Sequence, residues 1–276
     1  KLVQDFPEIT AIDANPLLPD QSVFFKTVYR NPERASVKQA STSARSISNY
    51  DIVFISYNEP NADKNWELLK HRFPRAQRVH GVKGIHQAHI EAAKLSTTPM
   101  TWIVDGDAVV KDDFNFDYYV EEKDHDVVHV WRSENKVKGL QYGYGGVKLF
   151  PTELTIHMDT SKPDMTTSIS RRFKPVKEVA NITEFNTDPF NAWKSAFREC
   201  AKLASKVIDR QKDDETDIRL GVWTSDKGRD EPFGDYVIQG ARAGRMYGVN
   251  NRGNIDALKL INDFEWLRNR FHVETI

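Results

Sequence analysis

The chain has 276 residues, 39% hydrophobic and 29% charged, with a formal net charge of −1, a balance that fits one substantial globular domain or two small ones sharing a core. Near-neutral charge excludes a broad attraction of the whole surface to nucleic acid, and no apolar run approaches the roughly 18 residues of a membrane-crossing helix. The single cysteine, Cys200, allows no internal disulfide, which favours a reducing, cytoplasmic setting.

Charge is unevenly distributed. Lys26, Arg30, Arg34, Lys38 and Arg45 form one basic stretch with Glu33 as its single acid, and Lys162, Arg171, Arg172, Lys174 and Lys177 form another. Two solvated loops account for them; a phosphate-contacting surface is the sharper alternative. Asn181-Ile182-Thr183 fits a glycosylation sequon, a pattern frequent by chance and read here as incidental.

Residues 1–48 are rich in Pro, Ser, Asn and Gln, with one strand-like run from Ser22 to Tyr29. They are expected to form an arm wrapping a domain that spans 49–276. From Tyr50 the chain is strongly patterned. Asp51–Ser56 reads as a buried parallel strand, Asp63–Phe73 as an amphipathic helix ended by Pro74, Ala76–His80 as a strand, Ile85–Leu95 as a helix and Met100–Val104 as a third strand. Strands are further expected at Asp126–Arg132 and Tyr142–Phe150, and residues 158–188 read as loop-rich. Helices follow at Phe190–Val207 and Tyr236–Ala243, then a strand at Met246–Val249 and a closing helix from Asn254 to Phe271. The alternation implies an α/β fold with a central, mostly parallel sheet flanked by helices. Ligands of such sheets gather beyond the carboxyl ends of the strands.

Asp105-Gly106-Asp107 stands at the end of the third strand. Two carboxylates one residue apart can face the same way once the chain turns, and the intervening glycine is expected to permit that turn. Mg²⁺ and Mn²⁺ prefer oxygen ligands and commonly share one or two carboxylates with substrate phosphates. A solvated turn explains Asp-x-Asp alone equally well; its place after a strand–helix–strand–helix–strand unit favours the metal.

The run Asp51–Val110 resembles the nucleotide-binding half of GT-A fold, nucleotide-sugar-dependent glycosyltransferases, a single-domain, Rossmann-like fold. The resemblance implies that Ser56, Tyr57 and Glu59, in Ile55-Ser56-Tyr57-Asn58-Glu59, hold the nucleotide. It implies that Lys83 and His86, in the segment Gly81–His89, approach the phosphates, and that Asp105 and Asp107 bind Mn²⁺ or Mg²⁺. His89 stands where many members carry asparagine. Tyr142–Phe150, with Gly145 and Gly146, resembles the segment lining the donor-sugar pocket; paired glycines would let backbone amides approach sugar hydroxyls, and a bulged strand is the equal alternative. On this reading 49–132 is the nucleotide-binding half and 133–276 the donor-sugar and acceptor half.

An inverting transferase needs a carboxylate to take the acceptor's proton. Asp235, at a helix start after Gly234, and Glu199, inside the long helix, are the two candidates. Capping explains Asp235 and pairing with a neighbouring arginine explains Glu199 as simpler roles. The family's third metal ligand, usually histidine near the C-terminus, points to His272, although it follows a helix rather than a strand; Asn250 is the substitute.

The resulting expectation is transfer of a sugar from a nucleotide diphosphate, with UDP the first choice, to an acceptor hydroxyl, with no membrane and no obligate protein partner. Rival readings are a nucleotidyltransferase of related fold, a haloacid-dehalogenase-like phosphatase using Asp105 as nucleophile, and a non-catalytic sugar- or nucleic-acid-binding module. A zinc site on His86 and His89 lacks further ligands. Arg78–Asp107 and Phe185–Leu203 resemble phage-encoded glycosyltransferase-like proteins, which implies a hydroxymethylated DNA base as one acceptor; a glycan, a lipid-linked sugar and a small metabolite are the others.

Overall fold

The computed structural model describes residues 49–275 apart from 144, 163 and 209–211. The arm expected over 1–48, its strand at Ser22–Tyr29 and the basic stretch Lys26–Arg45 lie outside the described residues. The first part of the chain forms β1 (Asp51–Ser56), α1 (Ala62–Arg72), β2 (Gln77–His80), α2 (Ile85–Lys94), β3 (Met100–Asp105) and β4 (Ala108–Val110). It continues with β5 (Val128–Asn135), β6 (Leu140–Tyr142), β7 (Val147–Pro151), the short helices α3 (Thr152–Ile156) and α4 (Met165–Ile169), and β8 (Phe173–Thr183). Helices α5 (Pro189–Ser205), α6 (Asp213–Thr224), α7 (Gly234–Asn250), α8 (Ile255–Lys259) and α9 (Phe264–Glu274) close it.

The strands join in one sheet of order β2-β1-β3-β7-β5-β8-β4, with β6 on β5. β1 is parallel to β2 and β3, and β5 is parallel to β8, while β7 runs antiparallel between β3 and β5. The α/β class expected from the alternation holds, and the sheet expected to be mostly parallel is mixed. Side chains alternate between its faces with period two. Ile52, Phe54, Trp102 and Val104 join one core with Leu69 of α1, and Val53, Ile55 and Ile103 join another with Ala92 of α2. Helices therefore cover both faces.

The carboxyl ends of β1 and β3 coincide, because Ile55 pairs with Asp105. Antiparallel β7 places Lys148 opposite Ile103. Asp105, two residues further along, is then its diagonal neighbour on the same face.

The second half departs most from the sequence reading. The stretch 158–188 contains α4 and the eleven-residue strand β8. Only the far end of β8 is buried, and its near end carries Lys174, Pro175 and Lys177, so no alternation announces it. Helix α6 had no counterpart in the expected elements, and the helix expected at 254–271 is two helices separated by a 3₁₀ turn. Asp263 starts the second by accepting the amides of Glu265 and Trp266. Met246–Val249, expected as a strand, is the last turn of α7.

Packing against α5 explains that error. Gly240, Gly244 and Gly248 stand four residues apart on α7, and a Cβ on each would lie 2.2, 2.2 and 2.4 Å from the carbonyl oxygens of Trp193, Phe197 and Ala201. These are also four apart, so two backbones meet along a bare glycine face. Glycine weakens an isolated helix, and tertiary contact outweighs that preference here. The candidate sequon is likewise structural: Asn181 is fully buried, accepting from Ser133 Oγ at 2.7 Å.

Two glycine substitutions separate packing from propensity. Gly244→Ala is expected to cost about 3 kcal/mol or more, as an overpacked contact does. In exposed Gly221 of α6 an added Cβ meets nothing within 4 Å, so Gly221→Ala is expected to stabilise by about 0.5–1 kcal/mol. Denaturant titration of both variants checks the contrast.

Candidate functional site

A cleft of about 510 Å³ opens at the carboxyl ends of β1 and β3. Its walls come from the segment after β1 (Ser56, Tyr57, Glu59, Asn61), the loop before α2 (Val82, Lys83, Gly84), the segment Asp105–Asp107, and the exposed side of α5. The segment Lys259–Glu265 forms the remaining side.

Glu59 brings a third carboxylate to the aspartate pair. Its Oε2 accepts the Tyr57 amide at 2.7 Å, and it rests on Gly106, where a Cβ would stand 2.8 Å from the same oxygen. Gly106 does not have a positive φ. The glycine makes room rather than the turn its position suggested: a Cβ there would shift the Glu59 carboxylate and press on Ser56 Cβ at 3.1 Å. Around this point the loops interlock, with Asn65 Nδ2 donating to the Gly106 carbonyl at 3.0 Å and the Glu184 amide to the Asp107 carbonyl at 2.8 Å.

The two aspartates differ electrostatically. Asp105 accepts an ion-paired hydrogen bond from Lys148 Nζ at 2.5 Å, and Lys148 is almost fully buried. Burial raises the Asp105 pKa, and Lys148 opposes the rise. The Asp107 carboxylate has no hydrogen-bond or ion-pair partner among the described residues. Burial, then the Asp105 and Glu59 carboxylates, push its pKa up to about 7. An ionised, unpartnered carboxylate beside two others is an unfavourable arrangement that a cation relieves.

Across the cleft α5 presents Lys194 and Arg198, one helical turn apart. Lys194 Nζ donates to Asn191 Oδ1 at 2.7 Å and lies 4.6 Å from the centre of the Phe264 ring. Burial, then Arg198, lower its pKa to about 8. Arg198 donates to the Ile261 carbonyl at 2.8 Å and to Asn262 Oδ1 at 3.0 Å, tying the C-terminal segment to the helix. Phe264 meets Tyr57 edge-on at 5.9 Å. Capping by Asp188, whose Oδ1 accepts the Asn191 amide, and Pro189 in the first turn set where α5 begins.

Several expected site residues converge here: Ser56, Tyr57, Glu59, Lys83, Asp105 and Asp107 all line the cleft. Ser56 Oγ is held by Arg78 Nε at 3.0 Å and His80 Nδ1 at 2.9 Å. Others do not enter it. His86 is turned to Ser168 Oγ at 3.2 Å, and His89 is fully buried with Nδ1 2.7 Å from the Ile85 carbonyl oxygen. Gly145 and Gly146 lie outside the lining; Gly146 is bare because Asn181 fills its Cβ position, and its carbonyl accepts the Asp105 amide at 2.9 Å.

The two proposed bases are also elsewhere. Asp235 is exposed and ion-paired with Arg229. Glu199 is buried, accepting from Tyr142 Oη at 2.9 Å and pairing with Lys202 at 3.2 Å. His272 is exposed on α9, away from the lining, and Asn250 ends α7. The second basic cluster is partly neutralised: Arg172 pairs with Asp124 and Asp126, and Lys162 with Asp159. Sequence reasoning missed Lys194, Arg198, Glu184 and the segment 259–265. A lysine and an arginine four apart on the polar side of an amphipathic helix was the available signal for the first two.

Among the described residues no group of three or more His, Cys, Asp or Glu side chains is arranged to hold a metal ion by itself. Two carboxylates remain as an oxygen set of the kind a divalent cation uses in part, Asp107, unpartnered among the described residues, and Asp105 beside it on Lys148. Among the described residues no helix is long and apolar enough to cross a membrane. No protein-family model matches the chain, and no curated protein matches it.

The Asp107 charge is expected to cost stability. Its folded pKa, about 7, lies above the ordinary value of 3.8, so between those values the folded chain holds more protons than the unfolded one and stability falls as pH rises. Asp107→Asn removes that loss. In cation-free buffer at pH 8 the variant is expected to be more stable by about 1–2 kcal/mol, with the gain gone at pH 4. Thermal melts at the two pH values check it; a variant less stable at pH 8 contradicts it.

Proposed function

We propose that the protein is a metal-dependent glycosyltransferase of the GT-A kind, moving a sugar from a nucleoside-diphosphate donor, UDP-linked in the first instance, to an acceptor hydroxyl. One observation carries the reading: an unpartnered Asp107 beside Asp105 faces Lys194 and Arg198 across a single cleft at the strand ends. Neither a plain anion site nor a plain cation site needs both signs. A diphosphate complexed to a divalent ion does.

The roles follow from the residues. Lys194 and Arg198 supply positive charge for phosphate oxygens, with Arg198 held in the cleft wall by its bonds to Ile261 and Asn262. Val82 and Ile85 give apolar surface for the flat face of a base, with Tyr57 and Phe264 as an aromatic edge. Lys148 holds Asp105 in place from below through a buried ion pair. A divalent cation on Asp105 and Asp107 would supply charge neutralisation of the departing diphosphate. Carboxylates for proton transfer must come from the cleft walls, where Glu184 and Glu265 stand, rather than from Asp235 or Glu199.

The test is a screen of sugar nucleotides with Mn²⁺, following release of the nucleoside diphosphate. The wild-type chain is expected to turn over at least one donor, and Asp107→Ala to lose on the order of 10²-fold in rate while still unfolding in one cooperative transition no lower than the wild type's. Equal turnover in the variant, or none in the wild type, contradicts the reading.

A further inference from the structure

A second cavity, of about 370 Å³, adjoins the first. Tyr57, Glu59, Lys194, Phe264 and Glu265 line both, so the two meet along a common wall. Asn58, Asp188, Phe190 and Arg268 line the second alone. A space that shares a wall with the donor cleft is where an incoming hydroxyl could reach the donor. From this arrangement we propose that the second cavity is the acceptor site, that it takes a neutral saccharide rather than nucleic acid, and that Glu265 receives the acceptor's proton. The inference rests on the donor reading above.

Charge decides the acceptor class. Around the second cavity stand three acids, Glu59, Asp188 and Glu265, against two bases, Lys194 and Arg268. A nucleic acid would bring phosphates toward an acidic rim, with none of the excess Lys and Arg that such ligands need. The exposed strip around Arg172 does not compensate, because that side chain is committed to Asp124 and Asp126. A neutral sugar meets no such penalty. Its hydroxyls donate to carboxylates and exchange hydrogen bonds with Asn58 and Asn191, and its C–H faces pack on Tyr57, Phe190 and Phe264.

Glu265 is singled out by its surroundings. Of the acids in the shared wall, Glu59 is bound to the Tyr57 amide and wedged on Gly106. Asp188 caps α5 and faces only the second cavity. Glu265 lines both cavities, and its carboxylate has no hydrogen-bond or ion-pair partner among the described residues. In the transfer, the acceptor oxygen bonds to the anomeric carbon as that carbon's bond to the diphosphate oxygen breaks. The bonding pair leaves with the nucleoside diphosphate, and the hydroxyl proton passes to Glu265.

The experiment titrates the protein, saturated with UDP and Mn²⁺, with maltose, cellobiose and lactose, and separately with a short DNA duplex at low salt, following binding by saturation-transfer NMR. Binding of at least one disaccharide and not of the duplex is expected. Asn58→Trp, which fills the second cavity only, is expected to weaken that disaccharide at least tenfold while UDP binds as before. Glu265→Gln is expected to lower sugar transfer about 100-fold with UDP and disaccharide still bound. Duplex binding that falls steeply with salt, silence of all three disaccharides while UDP binds, or unchanged behaviour of either variant would overturn the proposal alone. Failure of UDP itself to bind contradicts the donor reading, and this inference with it.

Discussion

Glu59, Asp105 and Asp107 crowd one rim of the sheet, and among the described residues only Asp105 forms a direct ion pair there. Like charges held this close cost free energy that folding must supply from elsewhere. The structure is organised to hold them: Glu59 against the bare Cα of Gly106, Asp105 on Lys148, and the Asp107 backbone on Glu184. A surface built only for stability would have separated these groups. Their enforced proximity, with the Asp107 carboxylate unpartnered among the described residues, is the physical basis for the divalent cation we propose in the cleft.

Helix α5 links that rim to the rest of the molecule. One side is locked against the glycine face of α7, where three successive turns meet backbone to backbone. Another side offers Lys194 and Arg198 to the cleft. Long cationic side chains lose much rotamer freedom when they order on a ligand. Here Asn191 and Phe264 restrain Lys194, and Ile261 and Asn262 restrain Arg198, before any ligand arrives. Preorganisation of this kind favours phosphate binding. Arg198 also makes the position of the C-terminal segment, and so of Phe264 and Glu265, depend on the same helix.

How much of this was legible in the sequence depended on whether the signal was local. Asp51–Ser56 and Met100–Val104 announce buried strands through continuous apolar runs, and the Asp105–Asp107 pair is visible at the end of one. Lys148 as the partner of Asp105 is a consequence of antiparallel register, which no local pattern encodes. Gly106 reads in sequence as a turn glycine, although in space it is Glu59 that occupies the room a side chain there would take. The strand reading of Met246–Val249 failed because three glycines lower helix propensity unless a second helix lies against them. Asp235 and Glu199 were chosen for their places on helices; the ion pairs that occupy them, with Arg229 and Lys202, lie within six residues in sequence yet are seen only once the helices are built.

The most direct measurement is a crystal of the protein soaked with Mn²⁺ and UDP, with diffraction recorded so that manganese scatters anomalously. The account predicts one strong anomalous peak within coordination distance of both Asp107 and the UDP phosphates, with Lys194 and Arg198 turned to the same phosphates. Manganese absent from Asp107, or UDP bound outside the cleft between β3 and α5, would contradict it.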